Sequence, residues 1–385
     1  MNISLFSFLM SVLSSTVFIM VIHALRNQPF FLKSFGVHTL LIMYGLSLFR
    51  MIFVIELPFA VPVGLKGVFS QTYAQMRQYQ VSVGGSRIAF LDIVFCVWIA
   101  AALANFVRLM WRERLVRKDL SHHRKNKSYA AERVLANVRK KSADKIFVSV
   151  CVCPSIDTPI GLGLFQKWIY LPDEEYTQEE LYYIMKHEYI HFSNRDGVVK
   201  LLTLLLCCIF WWNPAVYLLK KDVEQILEIK CDINATHGFS KKERLEYLLT
   251  IVRVLKGKPR STDGRPPLMA TGLFSRTEHD GIRERFELIT KATKRLGVRY
   301  QAAFVGLAAL VTVFSYTFVL QPAFEPPVED IYSDDSTLEL DSEKLYILQH
   351  HDMTHSIVLE NGEMYPISDP VLQMYVDLGT EIRKE

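Results

Sequence analysis

Tyr182-Tyr183-Ile184-Met185-Lys186-His187-Glu188-Tyr189-Ile190-His191-Phe192-Ser193-Asn194 contains no helix breaker, and its spacing predicts a helix. On that helix His187 and His191 stand one turn apart on one face, so both can ligate one metal ion, with Glu188 beside the ion's open position. Imidazole and carboxylate donors suit Zn²⁺, and three protein ligands plus a water make a hydrolytic site rather than a structural staple. The third ligand is assigned to Glu228, within Glu228-Ile229-Lys230-Cys231-Asp232. A helical glutamate there can bind the metal while Asp232, four residues on, orients a ligand histidine. The five-residue pattern alone is only suggestive. The strand-like run before it and the acidic helix after it add the context that makes it a site.

Half of the 385 residues are apolar and the mean hydropathy is +0.16. That is too apolar for an ordinary soluble enzyme and too charged for a bare channel bundle, so a membrane protein with extramembrane domains is expected. Residues 3–25, 35–57 and 88–110 read as spans. Arg112, Arg114, Arg117, Lys118, Arg124, Lys125 and Lys127 follow the third at once and mark its end as cytoplasmic. This explains the basic run better than nucleic-acid binding does. The amino terminus is then external, with Arg26 and Lys33 inside. Arg50, within the second span, either faces the bundle interior or snorkels to the interface. Cys151 and Cys153 share one face of a strand and read as buried small hydrophobes; none of the six cysteines implies a disulfide framework.

Residues 146–152 and 168–171 read as strands of a small sheet. Gly257, Pro259, Gly264, Pro266, Pro267 and Gly272 make 256–278 a flexible loop, with a charged helix at 281–294 and a last span at 300–320. The acidic tail is expected outside, with a hairpin turning at Asn361-Gly362. His350, His351 and His355 read as a solvated face. Hydropathy alone would make Val198 to Leu219 another span, but one complete crossing would separate His187 from Glu228 by about 30 Å of hydrocarbon. The segment 198–219 is therefore expected to be re-entrant or partly embedded from the cytoplasmic side, with Lys200 and Lys221 reachable there.

Pro159-Ile160-Gly161-Leu162-Gly163, Ile169-Tyr170-Leu171-Pro172, His187 to His191 with Asn194-Arg195-Asp196, Trp212-Asn213-Pro214, and Glu228 with Cys231-Asp232 together carry a family resemblance. The chain resembles, over most of residues 1 to 320, the BlaR/MecR-type beta-lactam sensor-transducer (antirepressor) membrane zinc metallopeptidases. It departs from them in a short tail without the SxxK of a penicillin-binding sensor domain, which it is expected to lack.

The resemblance implies a mixed membrane α-helical bundle with a cytoplasmic α+β gluzincin zinc-peptidase domain and a small external β-containing tail. The expected division is 1–111 (three spans), 112–299 (peptidase), 300–320 (last span) and 321–385 (external tail). One Zn²⁺ per chain is expected on His187, His191 and Glu228, with Glu188 catalytic and Asp232 and Asp196 behind the ligands. Gly161, Leu162, Gly163 and Leu164 are the expected edge strand that binds substrate as an added strand, against the plainer reading of a structural hairpin. The oxyanion-stabilising group is open among Tyr189, His237 and Arg244.

The implied function is regulated proteolysis at the cell membrane. The implied partners are lipid and a cytoplasmic protein substrate such as a winged-helix repressor, with self-cleavage in 256–278 and no direct nucleic-acid contact; a homodimer is left open. The competing readings are a housekeeping quality-control metalloprotease and a non-catalytic receptor. The intact HExxH with Glu228 speaks against the receptor.

Overall fold

The apolar start of the chain forms helices α1 (Leu5–Arg26) and α2 (Pro29–Ile52). Proline opens α2, where its missing N–H costs nothing. Gly36 (φ 78°, ψ 172°) then breaks the helix into a short lead-in and a long apolar run. Helix α2 begins before residue 35 and ends before residue 57, the bounds expected for the second span. Arg50 is buried: its Nε donates to Ser315 Oγ at 2.8 Å and its guanidinium lies 4.0 Å over the Tyr316 ring, so it faces the interior rather than the interface.

Strands β1 (Val61–Leu65), β2 (Gln80–Val83) and β3 (Ser86–Ala89) follow, the last two as a hairpin. Helix α3 (Phe90–His122) runs through the expected boundary at 111/112 without a break. Arginine and lysine are good helix formers and no glycine or proline interrupts them, so the first part of the basic run, Arg112 to Lys118, simply continues the helix. In this computed structural model residues 5–55, 60–65, 72, 76, 79–83, 86–256, 271–272, 279–290, 297–322, 346–350, 354–358, 364–367, 372 and 382–384 are described.

Helix α4 (Tyr129–Lys141), capped by Ser128, leads to β4 (Ser149–Val152), β5 (Ile160–Leu162) and β6 (Trp168–Leu171). Helices α5 (Gln178–Ser193), α6 (Asp196–Ile209), α7 (Pro214–Ala235) and α8 (Lys241–Lys256) come next. Strand β7 (Thr271–Gly272) completes a sheet of order β4-β6-β5-β7, with β4 parallel to β6 and the other pairs antiparallel. Side chains of α4, the sheet, α5 and α8 make one core, including Val150, Ile169, Ile184, Met185, Leu248 and Ile251. A second core joins α1, α2 and α7 through Ile19, Ile22, Leu40, Leu219 and Ile226.

Helices α6 and α7 form a hairpin. Asn213 ends the turn: its side chain accepts from Ala215 N at 3.0 Å, and Pro214 starts α7. Asn213 also donates to Thr16 Oγ1 at 2.7 Å, Trp98 Nε1 donates to Ile209 O at 2.9 Å, and Phe210 stacks on Phe8. The tip therefore sits level with residues 8–16 of α1. Lys221 is exposed, but Lys200, expected to be accessible, is 2% exposed because its ammonium turns inward.

Helices α9 (His279–Thr290) and α10 (Val298–Phe314) and strand β8 (Phe318–Pro322) follow. The 17 residues of α10 reach about 25 Å, short of the expected 300–320 span. A turn at Ser315–Thr317 ends it, and β8 pairs in parallel with β1. Among the described residues three helices are long and apolar enough to cross a membrane, in α1, α2 and α3.

Residues Met1–Ala323 form one unit and Phe324–Glu385 another. The second holds β9 (Tyr346–Gln349), β10 (His355–Val358), β11 (Met364–Ile367) and β12 (Ile382–Lys384), ordered β11-β10-β9-β12. Strands β10 and β11 pair antiparallel, as the hairpin reading expects, while its Asn361-Gly362 turn lies outside the described residues, as does His351.

Candidate metal centre

The helix that carries the motif is firmly started. Thr177 and Glu180 form a capping box, with Thr177 N to Glu180 Oε2 at 2.8 Å and Glu180 N to Thr177 Oγ1 at 3.2 Å. Arg253 of α8 grips the Glu180 carboxylate at 2.5 Å and donates to Glu175 O. With α5 anchored at its start and packed against the sheet, His187, Glu188 and His191 are fully buried.

The two imidazoles meet through Nε2, 3.0 Å apart, and Glu228 Oε2 from α7 lies 3.5 Å from His187 Nε2 and 3.6 Å from His191 Nε2. Donors about 2.0–2.1 Å from one tetrahedral ion stand about 3.3 Å from one another, so this trio has the spacing of a zinc ligand set. Glu228 Oε2 has no hydrogen-bond partner among the described residues, whereas Oε1 takes Lys200 Nζ at 3.5 Å. A buried acceptor left in that state is a place for a cation.

Both outer ring nitrogens are held. His191 Nδ1 is 2.7 Å from Asp196 Oδ2. His187 Nδ1 is 2.8 Å from Tyr247 Oη and 3.3 Å from Asp232 Oδ1, and Tyr247 donates to that same carboxylate oxygen at 2.6 Å. Carboxylate behind imidazole fixes the tautomer that points Nε2 at a metal. Arg285 of α9 closes the chain with a fork onto Asp232, at 2.5 and 2.9 Å.

Buried carboxylates of Glu188, Asp196, Glu228 and Asp232 face Lys200, Lys230 and Arg285, so with neutral imidazoles the site is anionic and attracts a cation. Burial alone would lower the His191 pKa, but Glu228 and Asp196 outweigh it and push it up to about 10. Burial raises Glu188 to about 7, against the pull of both histidines.

The structure brings together His187, Glu188, His191, Glu228, Asp232 and Asp196. It also brings in residues that sequence reasoning missed: Lys200, Tyr247, Arg285 and Cys231. The Cys231 sulfur comes within 4.8 Å of a ring nitrogen of each histidine, but its thiol donates to His187 O at 3.1 Å and burial raises it to about 12, so it is the poorer donor.

None of the three oxyanion candidates enters this cluster. Tyr189 is taken up by Asp144 O and Ile146 N, while His237 and Arg244 line a different cavity of about 360 Å³ beside Leu32 and Gly36. Of the expected edge strand, Gly161 and Leu162 lie in β5. Gly163 (φ +117°) turns away, since a Cβ there would stand 1.8 Å from Gln166 O, and Leu164 lies beyond the strand. Strand β5 lies between β6 and β7, with Gly161 opposite Thr271, so the expected edge strand is an inner strand of the sheet, because β7 has added to the side left open for substrate.

A buried HExxH helix, a glutamate from a second helix at ligand distance, and helices of membrane length define a membrane-associated metallopeptidase-type centre. The family model of BlaR1 peptidase M56 matches residues 65–289, more than half of the chain, and the chain belongs to that family. The "Regulatory protein BlaR1" of Bacillus licheniformis is 24% identical over 207 residues, 52% of this chain and 33% of that one. The "Methicillin resistance mecR1 protein" of Staphylococcus aureus (strain Mu50 / ATCC 700699) is 30% identical over 129 residues, 33% of this chain and 22% of that one. The chain thus covers a third or less of the length of these relatives.

Proposed function

We propose that the protein is an integral-membrane zinc endopeptidase of the gluzincin type that acts in regulated proteolysis. The observation that carries this is the trio His187 Nε2, His191 Nε2 and Glu228 Oε2, with each histidine backed by a carboxylate. When bound, zinc supplies a Lewis acid for the scissile carbonyl and for the attacking water. Glu188 takes the water's proton and delivers it to the leaving nitrogen. Asp196, Asp232 and Tyr247 hold the imidazoles, and Lys200 holds the second oxygen of Glu228.

The domain reading carries over in part, with the peptidase between α3 and α10, the α6–α7 hairpin embedded from the cytoplasmic side, the amino terminus and the tail external, and α10, apolar but shorter than the three long helices, as the last crossing. The depth of the hairpin tip and the joint use of α5 and α7 by one site support it. The substrate is a cytoplasmic regulator, in keeping with the regulatory names of the relatives. Self-cleavage in 256–278 is supported by β7, which belongs to that stretch and lies on the side of β5 where substrate was expected to add as a strand; the rest of the loop, 257–270 and 273–278, lies outside the described residues. A proline at 271 or 272 weakens the pairing of β7 with β5, and the expected result is slower self-cleavage in cells.

The central test is metal analysis with a rate. His187→Ala and Glu228→Ala should lose the zinc. Glu188→Gln should keep one zinc per chain and lose about 10² to 10⁴ in rate. Cleavage by Glu188→Gln at the wild-type rate would falsify the mechanism.

A further inference from the structure

Helix α9 stands between the two cores of the larger unit: Ile289 packs with the sheet and α5, and Leu288 packs against the core of α1, α2 and α7. Its charged residues are divided in the same way. Arg285, 4% exposed, forks onto Asp232, which faces His187 Nδ1. Glu284 accepts from Arg26 Nη2 at 3.1 Å, and Glu287 accepts from Lys33 Nζ at 2.7 Å. Arg26 is the last residue of α1 and Lys33 lies in the lead-in of α2 before the Gly36 break. Arg26 itself is buried and reaches Asp222 of α7 with its other nitrogen, at 3.4 Å.

The corner where α1 meets α2 is thus tied to α9 by two ion pairs, and α9 is tied by a third to the carboxylate behind a histidine. A helix is stiff over three residues, so Glu284 and Glu287 fix the rotation of α9 about its axis, and that rotation aims Arg285. A guanidinium fork is directional, and a shift of the fork moves the partner carboxylate or leaves it unpaired.

We propose that α9 is a strut through which the α1–α2 corner sets the His187 side of the metal site, with Arg285 as the positioning residue acting through Asp232. This rests on the reading of the site as a zinc centre. Movement of α1 against α2 then changes how firmly His187 is held without touching the ligands.

The test uses the full chain in detergent or lipid discs, loaded with Zn²⁺, and follows release of Zn²⁺ to a chromogenic chelator. Glu284→Lys with Glu287→Lys should release zinc about tenfold or more faster than wild type, the scale set by loss of a group behind a ligand. Adding Lys33→Glu should recover part of the loss, because it restores one pair with the charges exchanged, which a merely misfolded variant cannot do. Arg285→Lys, which keeps the charge without the fork, should also release faster.

Wild-type release from the Glu284→Lys/Glu287→Lys protein, or faster release that Lys33→Glu leaves unchanged, overturns the strut. A wild-type chain that holds no zinc overturns the peptidase reading and the strut with it, so the two failures are told apart before any variant is made.

Discussion

Glu228 and Cys231 stand one turn apart on α7 and both approach the histidines, and their chemistry separates them. The glutamate presents to both Nε2 atoms an oxygen with no hydrogen-bond partner among the described residues, while the thiol is spent on His187 O. Cys231→Ala should therefore retain one zinc per chain by metal analysis, and Glu228→Ala should not; the opposite pair of results would give the third position to sulfur. Tyr247→Phe removes the hydroxyl shared by His187 and Asp232, and zinc affinity in a chelator competition should fall by about 10-fold. His187 and His191 were legible because helical periodicity puts them on one face, and Glu188 because it directly follows the first of them, once the context of the motif was added. Tyr247, Arg285 and Lys200 were not, because nothing local in their helices tells that they turn toward a site built by other elements.

Among the elements, the stretch 198–219 was expected to turn back on itself, since two ligands of one ion cannot lie on opposite sides of a membrane, and the structure has two helices joined by a turn at Asn213 there. Its inward-facing lysine was not expected, because hydropathy counts a charge without knowing its partner. Lys200 is consequently a poor position for a labelling probe, and cysteines at Arg195 and Lys221, both exposed, serve instead. Both should react from one and the same side of the membrane; reaction from opposite sides would end the hairpin reading. The sheet was legible by its strands but not by its fourth member, because two paired residues in a stretch rich in glycine and proline carry no strand pattern. The break at Gly36 and the unbroken run of α3 were missed for opposite reasons. One glycine was enough to end a helix early, and a change from apolar to basic residues was not enough to end one at all.

For the molecule as a whole, the ion pair between Arg285 and Asp232 gives an acid limit to stability. Burial alone would raise the Asp232 pKa, but Arg285 and His187 outweigh it and hold it at about 2, below its ordinary value of 3.8. A depressed folded-state value means the contribution is complete above that ordinary value and is lost as pH falls toward about 2. Arg285→Met should therefore begin to unfold at higher pH than wild type in an acid titration followed by circular dichroism; an unchanged acid limit would show that the pair adds nothing.

The parallel pairing of β1 with β8 has a mechanical consequence. Both strands leave helices at their amino-terminal ends, β1 after α2 and β8 after α10, and five residues of each run side by side from Val61 opposite Phe318 to Leu65 opposite Pro322. A pull on the chain beyond Pro322 along the strand loads all these backbone bonds at once, in shear, instead of unzipping them singly. Tension applied there is shared between β8, which continues from α10, and its partner β1.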